Sequence, residues 1–133
     1  MVTESKETKH ELDQFRQEVR EWMQNNKPVD PGFLLPQTFL EIGSEKVLDF
    51  LREWQYKVWS AGYLGMAWPS DYGGCGLPTI YQQIADEEMK RARVPILFNV
   101  IGLGWAGPLI INIGSDHEKR TYLKNILSAE DIW

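Results

Sequence analysis

Leu12, Phe15, Val19, Trp22 and Met23 follow one another along the chain in steps that suit a helix. At 3.6 residues per turn these five fall on one stripe. Glu11, Asp13, Arg16, Gln17, Arg20 and Glu21 fill the other side, so the pattern predicts an amphipathic helix. It should stop by Asn25-Asn26, because Pro28 disfavours helical backbone just before it. A second stripe, Val47, Leu48, Leu51, Trp54, Val58 and Trp59, starts behind Ser44, whose hydroxyl suits an N-cap. It runs to Gly62, placed where a left-handed glycine closes a helix. A third helix is expected from Pro78-Thr79, with Ile80, Tyr81, Ile84 and Ala85 inward and Asp86, Glu87 and Glu88 mostly outward. Lys90, Arg91 and Arg93 suit its C-terminal end, where the helix dipole favours cations.

Residues 94–113 carry no charged side chain. They predict either two short helices or one helix kinked at Gly107-Pro108, where the proline removes a backbone donor. Ser115-Asp116-His117-Glu118 has the Ser-x-x-Glu form of a capping box. It opens a last helix through about Leu127, with Tyr122, Leu123, Ile126 and Leu127 as its buried stripe. Residues 27–43 hold Pro28, Pro31, Gly32 and Pro36 and predict a connector, with one helical turn around Gln37 to Ile42. No alternating apolar run is long enough for a sheet. The expected fold is all-α, a bundle of about five or six helices forming one domain over residues 1–133.

Composition narrows the function. A net charge of −5 on 133 residues argues against nucleic acid, which calls for a basic face. The single cysteine, Cys75, rules out an internal disulfide and fits a reducing compartment. No apolar stretch follows a basic start, so the expected location is cytoplasmic. The uncharged run is long enough to cross a bilayer. Pro95, Pro108, Asn99, Asn112 and three glycines instead favour a helix buried inside a bundle, with no membrane span.

Candidate chemistry is sparse. His10 and His117 have no partner at metal-ligand spacing. Cys75 has no nearby base. Gly102-x-Gly104-x-x-Gly107 copies the spacing of a dinucleotide fingerprint but follows no strand. Asp86-Glu87-Glu88 reads as a solvated face, and Trp22, Trp54 and Trp59 as core. Residues 62–78 hold five glycines, two prolines and one charge, Asp71. A loop so uncharged is expected to press against its own core or a partner. The residues alone describe a helical domain without visible catalytic apparatus.

Several pieces taken in order are more specific. Gly62-Tyr63-Leu64-Gly65, Trp68-Pro69-x-x-Tyr72-Gly73-Gly74-x-Gly76, the acidic helix at Asp86-Glu87-Glu88, Gly107-Pro108, Gly114-Ser115-Asp116-x-Glu118-Lys119, Tyr122-Leu123 and Ile132-Trp133 together resemble the N-terminal domain of acyl-CoA dehydrogenases. The helix from Phe15 to Trp22 resembles that family's first helix. The resemblance implies an oxidoreductase that oxidises the α,β bond of an acyl-CoA thioester with FAD. The family's flavin and its catalytic glutamate belong to a middle β-domain and a C-terminal helical domain. Neither the flavin segment nor the base is present in these residues, so the chain alone is expected to be inactive, with no catalytic residue, flavin or metal of its own. The family's N-terminal domain supplies part of the wall around the acyl tail. Here the corresponding positions are Leu97, Phe98, Ile101, Gly102 and Trp105. The resemblance implies as partners the acyl-CoA substrate, the middle and C-terminal domains, and a homo- or hetero-oligomer. Trp68 and Tyr72 are expected to dock on those domains. The rival reading is a non-catalytic helical interaction module, or one subunit of a hetero-oligomeric dehydrogenase.

Overall fold

A computed structural model describes residues 6–29, 31–36, 38 and 42–133 of the chain. Among them the regular structure is helical throughout. The first helix, α1, spans Lys6–Asn26. Val19 and Met23 of its apolar stripe are fully enclosed, with Phe15 and Trp22 packed beside them. The second, α2, spans Glu45–Ser60; Ser44 caps it by accepting a hydrogen bond from the Val47 amide. Gly62 then takes a φ of +89°, which its lack of a Cβ permits. The glycine-rich stretch that follows is looped apart from a short 3₁₀ turn at Ser70–Tyr72. The third helix, α3, covers Thr79–Ala92 and ends at Arg93 in left-handed conformation.

The uncharged run forms neither two separate helices nor a simple kink. Helix begins at Val100 and widens into a π-turn over Gly102–Ala106. The Gly107 amide there donates to the Gly102 carbonyl five residues back. It then continues as α4, Gly107–Ile113. Pro108 has no amide hydrogen, and the wider turn absorbs that loss without breaking the rod. The last helix, α5, spans Asp116–Ser128 behind the expected capping box, with both hydrogen bonds formed between Ser115 and Glu118. The turn expected around Gln37 to Ile42 falls largely outside the described residues.

α1 packs on α3, and α5 packs on both α2 and α4. One core joins Val19, Met23, Trp54, Val58, Met66, Ala85, Met89 and Leu127. A smaller one joins Leu51, Phe98 and Ala129. Enclosing a Leu or Met side chain in such a core stabilises by roughly 1.5–3 kcal/mol. Ile80 and Tyr122, expected inward, are exposed. They stand at the margins of their stripes, where a neighbour rather than the period decides burial. Tyr122 instead stacks edge-on against Trp133, ring centres 5.6 Å apart.

Glu88 corrects the expectation of a solvated acidic face. It is only 2 % exposed. Its carboxylate accepts from Arg20 Nε at 2.8 Å and from Arg16 Nη1 at 2.9 Å. Arg16 also reaches the exposed Glu87 at 2.7 Å. The two guanidiniums supply the paired charge that a buried carboxylate requires. They hold its carboxyl below the usual carboxylate range, Arg20 first, against the opposing effect of burial.

Candidate functional site

The segment that carries the expected site residues is anchored at its start by Asn99. This amide is fully enclosed. Its Nδ2 donates to the carbonyls of Ile126 at 3.1 Å and Asp131 at 2.9 Å, and its Oδ1 accepts from the Trp133 amide at 3.0 Å. Gln55 Nε2 donates to the Ile126 and Leu127 carbonyls, both at 3.0 Å. Arg52 donates to the carbonyls of Ala129 and Glu130. The last carbonyls of a helix have no intrahelical partner. Here three side chains from distant elements satisfy carbonyls at the end of α5 and just beyond it. That collar fixes the start of the π-turn against α5 and sets the direction in which residues 131–133 leave.

Close backbone packing then fixes the turn itself. A Cβ on Gly102 would fall 2.9 Å from both Asn99 Oδ1 and Ile126 Cγ2. A Cβ on Gly107 would collide with the Trp68 ring. Trp68 is thus half-buried against its own chain's helix and packs beside the main core, and Tyr72, expected to dock with it, is likewise half-buried. The glycine loop that bears it is tied down separately. Gln82 on α3 accepts from the Met66 amide and donates to the Tyr63 carbonyl, and Trp59 Nε1 donates to the Gly73 carbonyl at 2.9 Å.

The five expected wall residues fall in three places. Phe98 and Gly102 are buried in the chain's own packing. Leu97 is half-buried and lines an open cleft of about 830 Å³ with Met89 and Val94. Ile101 and Trp105 lie on the outer side, 38 % and 74 % exposed. The outer side continues through Leu109 at 57 % and Ile113 at 76 %, one apolar residue every four positions. Leu109 and Ile113 were missed in the sequence because an uncharged run gives no sign of which side is covered. A contiguous apolar stripe of this kind marks a contact site.

No titratable group sits on this stripe, so what it offers chemically is apolar contact and shape. Elsewhere, His10 and His117 are exposed, and the described residues contain no cluster of metal-ligating side chains. The Gly102–Gly107 run lies within helix, with Gly102 and Gly107 packed against side chains. The described residues therefore offer a dinucleotide no strand-to-helix cradle. No described helix is long and apolar enough to cross a membrane.

Comparison with known proteins places this architecture. Residues 9–130 match the family model described as acyl-CoA dehydrogenase, N-terminal domain. Acyl-CoA dehydrogenase IpdE1 of Mycolicibacterium smegmatis is 30% identical over 124 residues, 92% of this chain and 31% of that protein. Bovine mitochondrial isovaleryl-CoA dehydrogenase is 28% identical over 128 residues, 92% of this chain and 27% of that one. Among solved structures, one described as the Tcur3481-Tcur3483 steroid ACAD superposes with a TM-score of 0.69 at 28% identity, covering 92% of this chain and 30% of that one. The chain thus spans about a third of the length of the relatives it matches. With a match over residues 9–130, which include the glycine loop and the capping box, the chain belongs to the acyl-CoA dehydrogenase family, in its N-terminal helical domain.

Proposed function

We propose that this domain serves a flavin-dependent acyl-CoA dehydrogenase and that its outer stripe forms part of the wall against the acyl tail. The reaction of the complete protein is removal of two hydrogens across the α,β bond of an acyl-CoA thioester. In this reading Ile101 and Trp105 face the tail, Phe98 and Gly102 hold that wall in place from behind, and Leu97 borders the cleft beside Met89 and Val94. FAD, the electron acceptor, is held in this reading by the middle and C-terminal domains that the family resemblance implies or by a partner chain. The observation that carries the reading is the exposed run Ile101, Trp105, Leu109 and Ile113 on a charge-free helix in a chain of this family. An acyl tail is bound chiefly by apolar burial, and such sites are lined by apolar and aromatic side chains.

The two-part description of the solved relative Tcur3481-Tcur3483 favours a hetero-oligomeric form of the same reading, in which a second chain completes the site. The test is Trp105→Ala in the complete enzyme. Removing the indole should raise KM for an acyl-CoA by about tenfold, the effect of losing one to two kcal/mol of apolar contact, with flavin content unchanged. An unchanged KM would remove Trp105 from the wall.

A further inference from the structure

Three glycines stand between residues 102 and 107, and two of them are demanded by packing. Gly102 is pressed on Asn99 and Ile126, and Gly107 on Trp68. Gly104 is different. It lies inside the helical run, its φ is not positive, and a Cβ built there would meet nothing within 4 Å. Apart from proline, glycine is the least favourable residue for a helix interior. The chain therefore carries, at this position, a residue that its own fold does not ask for. The absent side chain leaves open surface at residue 104, on the exposed side of the helix, one turn after the exposed Val100 and Ile101 and next in the chain to the exposed Trp105.

We infer that Gly104 is a specificity-determining residue: its missing side chain admits a ring-bearing acyl group, which lies against the flat face of Trp105. This rests on the acyl-wall reading proposed above. A linear tail is narrow and flexible and packs against any apolar side chain. A fused or substituted ring is broad and rigid. It needs a gap in the wall and a flat surface beside the gap, and residues 104 and 105 supply both. A relative of the same shape, 28% identical, is described as a steroid ACAD, so a polycyclic substrate has a precedent in this architecture.

The experiment compares Gly104→Ala and Gly104→Leu with the wild type in the complete flavin-containing enzyme. Two thioesters serve as probes, 3-cyclohexylpropanoyl-CoA and octanoyl-CoA. The expected result is a fall in the ratio of their kcat/KM values, cyclic over linear, of about tenfold for leucine and less for alanine. It should arise mainly in KM, and Tm should not fall in the alanine variant. An unchanged ratio in both variants overturns the inference, and so does a lowered Tm with alanine, because the glycine then serves packing. If leucine prevents folding, the alanine ratio decides. Failure of the wild type to reduce its flavin with either thioester is a distinct result, and it overturns the acyl-wall reading together with this one.

Discussion

Glu88 on α3 and Arg20 on α1 meet at 2.8 Å, although 68 residues separate them in the chain. The contact is two-pronged, since Arg20 Nη2 reaches the second carboxylate oxygen at 3.2 Å. Glu88→Gln keeps the shape and removes the charge, leaving Arg16 and Arg20 without their shared partner. Breaking a buried pair costs several kcal/mol, and the arginines, about a third exposed, recover part of it by solvation. The expected loss is about 2 kcal/mol, read as a lower urea midpoint with unchanged m-value.

The same pair gives stability a direction with pH. The folded-state carboxyl of Glu88 sits below its ordinary value of 4.5. A depressed carboxylate stabilises fully above its unfolded value, and that contribution is lost as pH falls through the folded one. Stability should therefore decline as pH drops below 4.5, and the decline should be shallower in Glu88→Gln. Parallel acid titrations of the two proteins, followed by circular dichroism, check this.

Asn99→Ala removes an enclosed amide that serves Ile126, Asp131 and Trp133. Unpaired buried polar groups cost about 1–3 kcal/mol each, so a loss of about 3 kcal/mol is expected. The amide of Trp133 should lose its protection from hydrogen exchange, while that of Val58 in the core should keep its order among the slowest.

Gly104 and Gly107 should answer alanine with opposite signs. Gly104→Ala meets no atom and should stabilise by about 0.5–1 kcal/mol through backbone entropy. Gly107→Ala drives into Trp68, and overpacking of that kind costs about 1–3 kcal/mol. Thermal denaturation of the two variants separates the signs.

Much of this fold is legible locally. The cap at Ser44, the left-handed Gly62 and the Ser115–Glu118 box each depend on residues within one turn, and each is found where local chemistry puts it; the break expected at Pro108 is instead a π-turn just before it, over Gly102–Ala106. What escaped the sequence depends on distance. Glu88 looks like one acid among three until α1 brings two arginines to it. Gln55 sits between Trp54 and Tyr56 and looks like a polar break in a stripe, but it pairs with carbonyls more than 70 residues away. The family resemblance puts all five wall residues on one uncharged run, and such a run does not tell the covered side from the open one. The neighbours decide that, chiefly Trp68 over Gly107 and Ile126 over Gly102.

The helical domain is proposed here to help build an acyl-CoA dehydrogenase site. The most direct test is anaerobic addition of acyl-CoA thioesters, octanoyl-CoA and 3-cyclohexylpropanoyl-CoA, to the complete protein while flavin absorbance is followed. The oxidised flavin band should bleach with at least one thioester, and more slowly or weakly in Trp105→Ala at limiting substrate. A flavin that stays oxidised with both, or a Trp105→Ala protein that bleaches like the wild type at every concentration, would contradict that role.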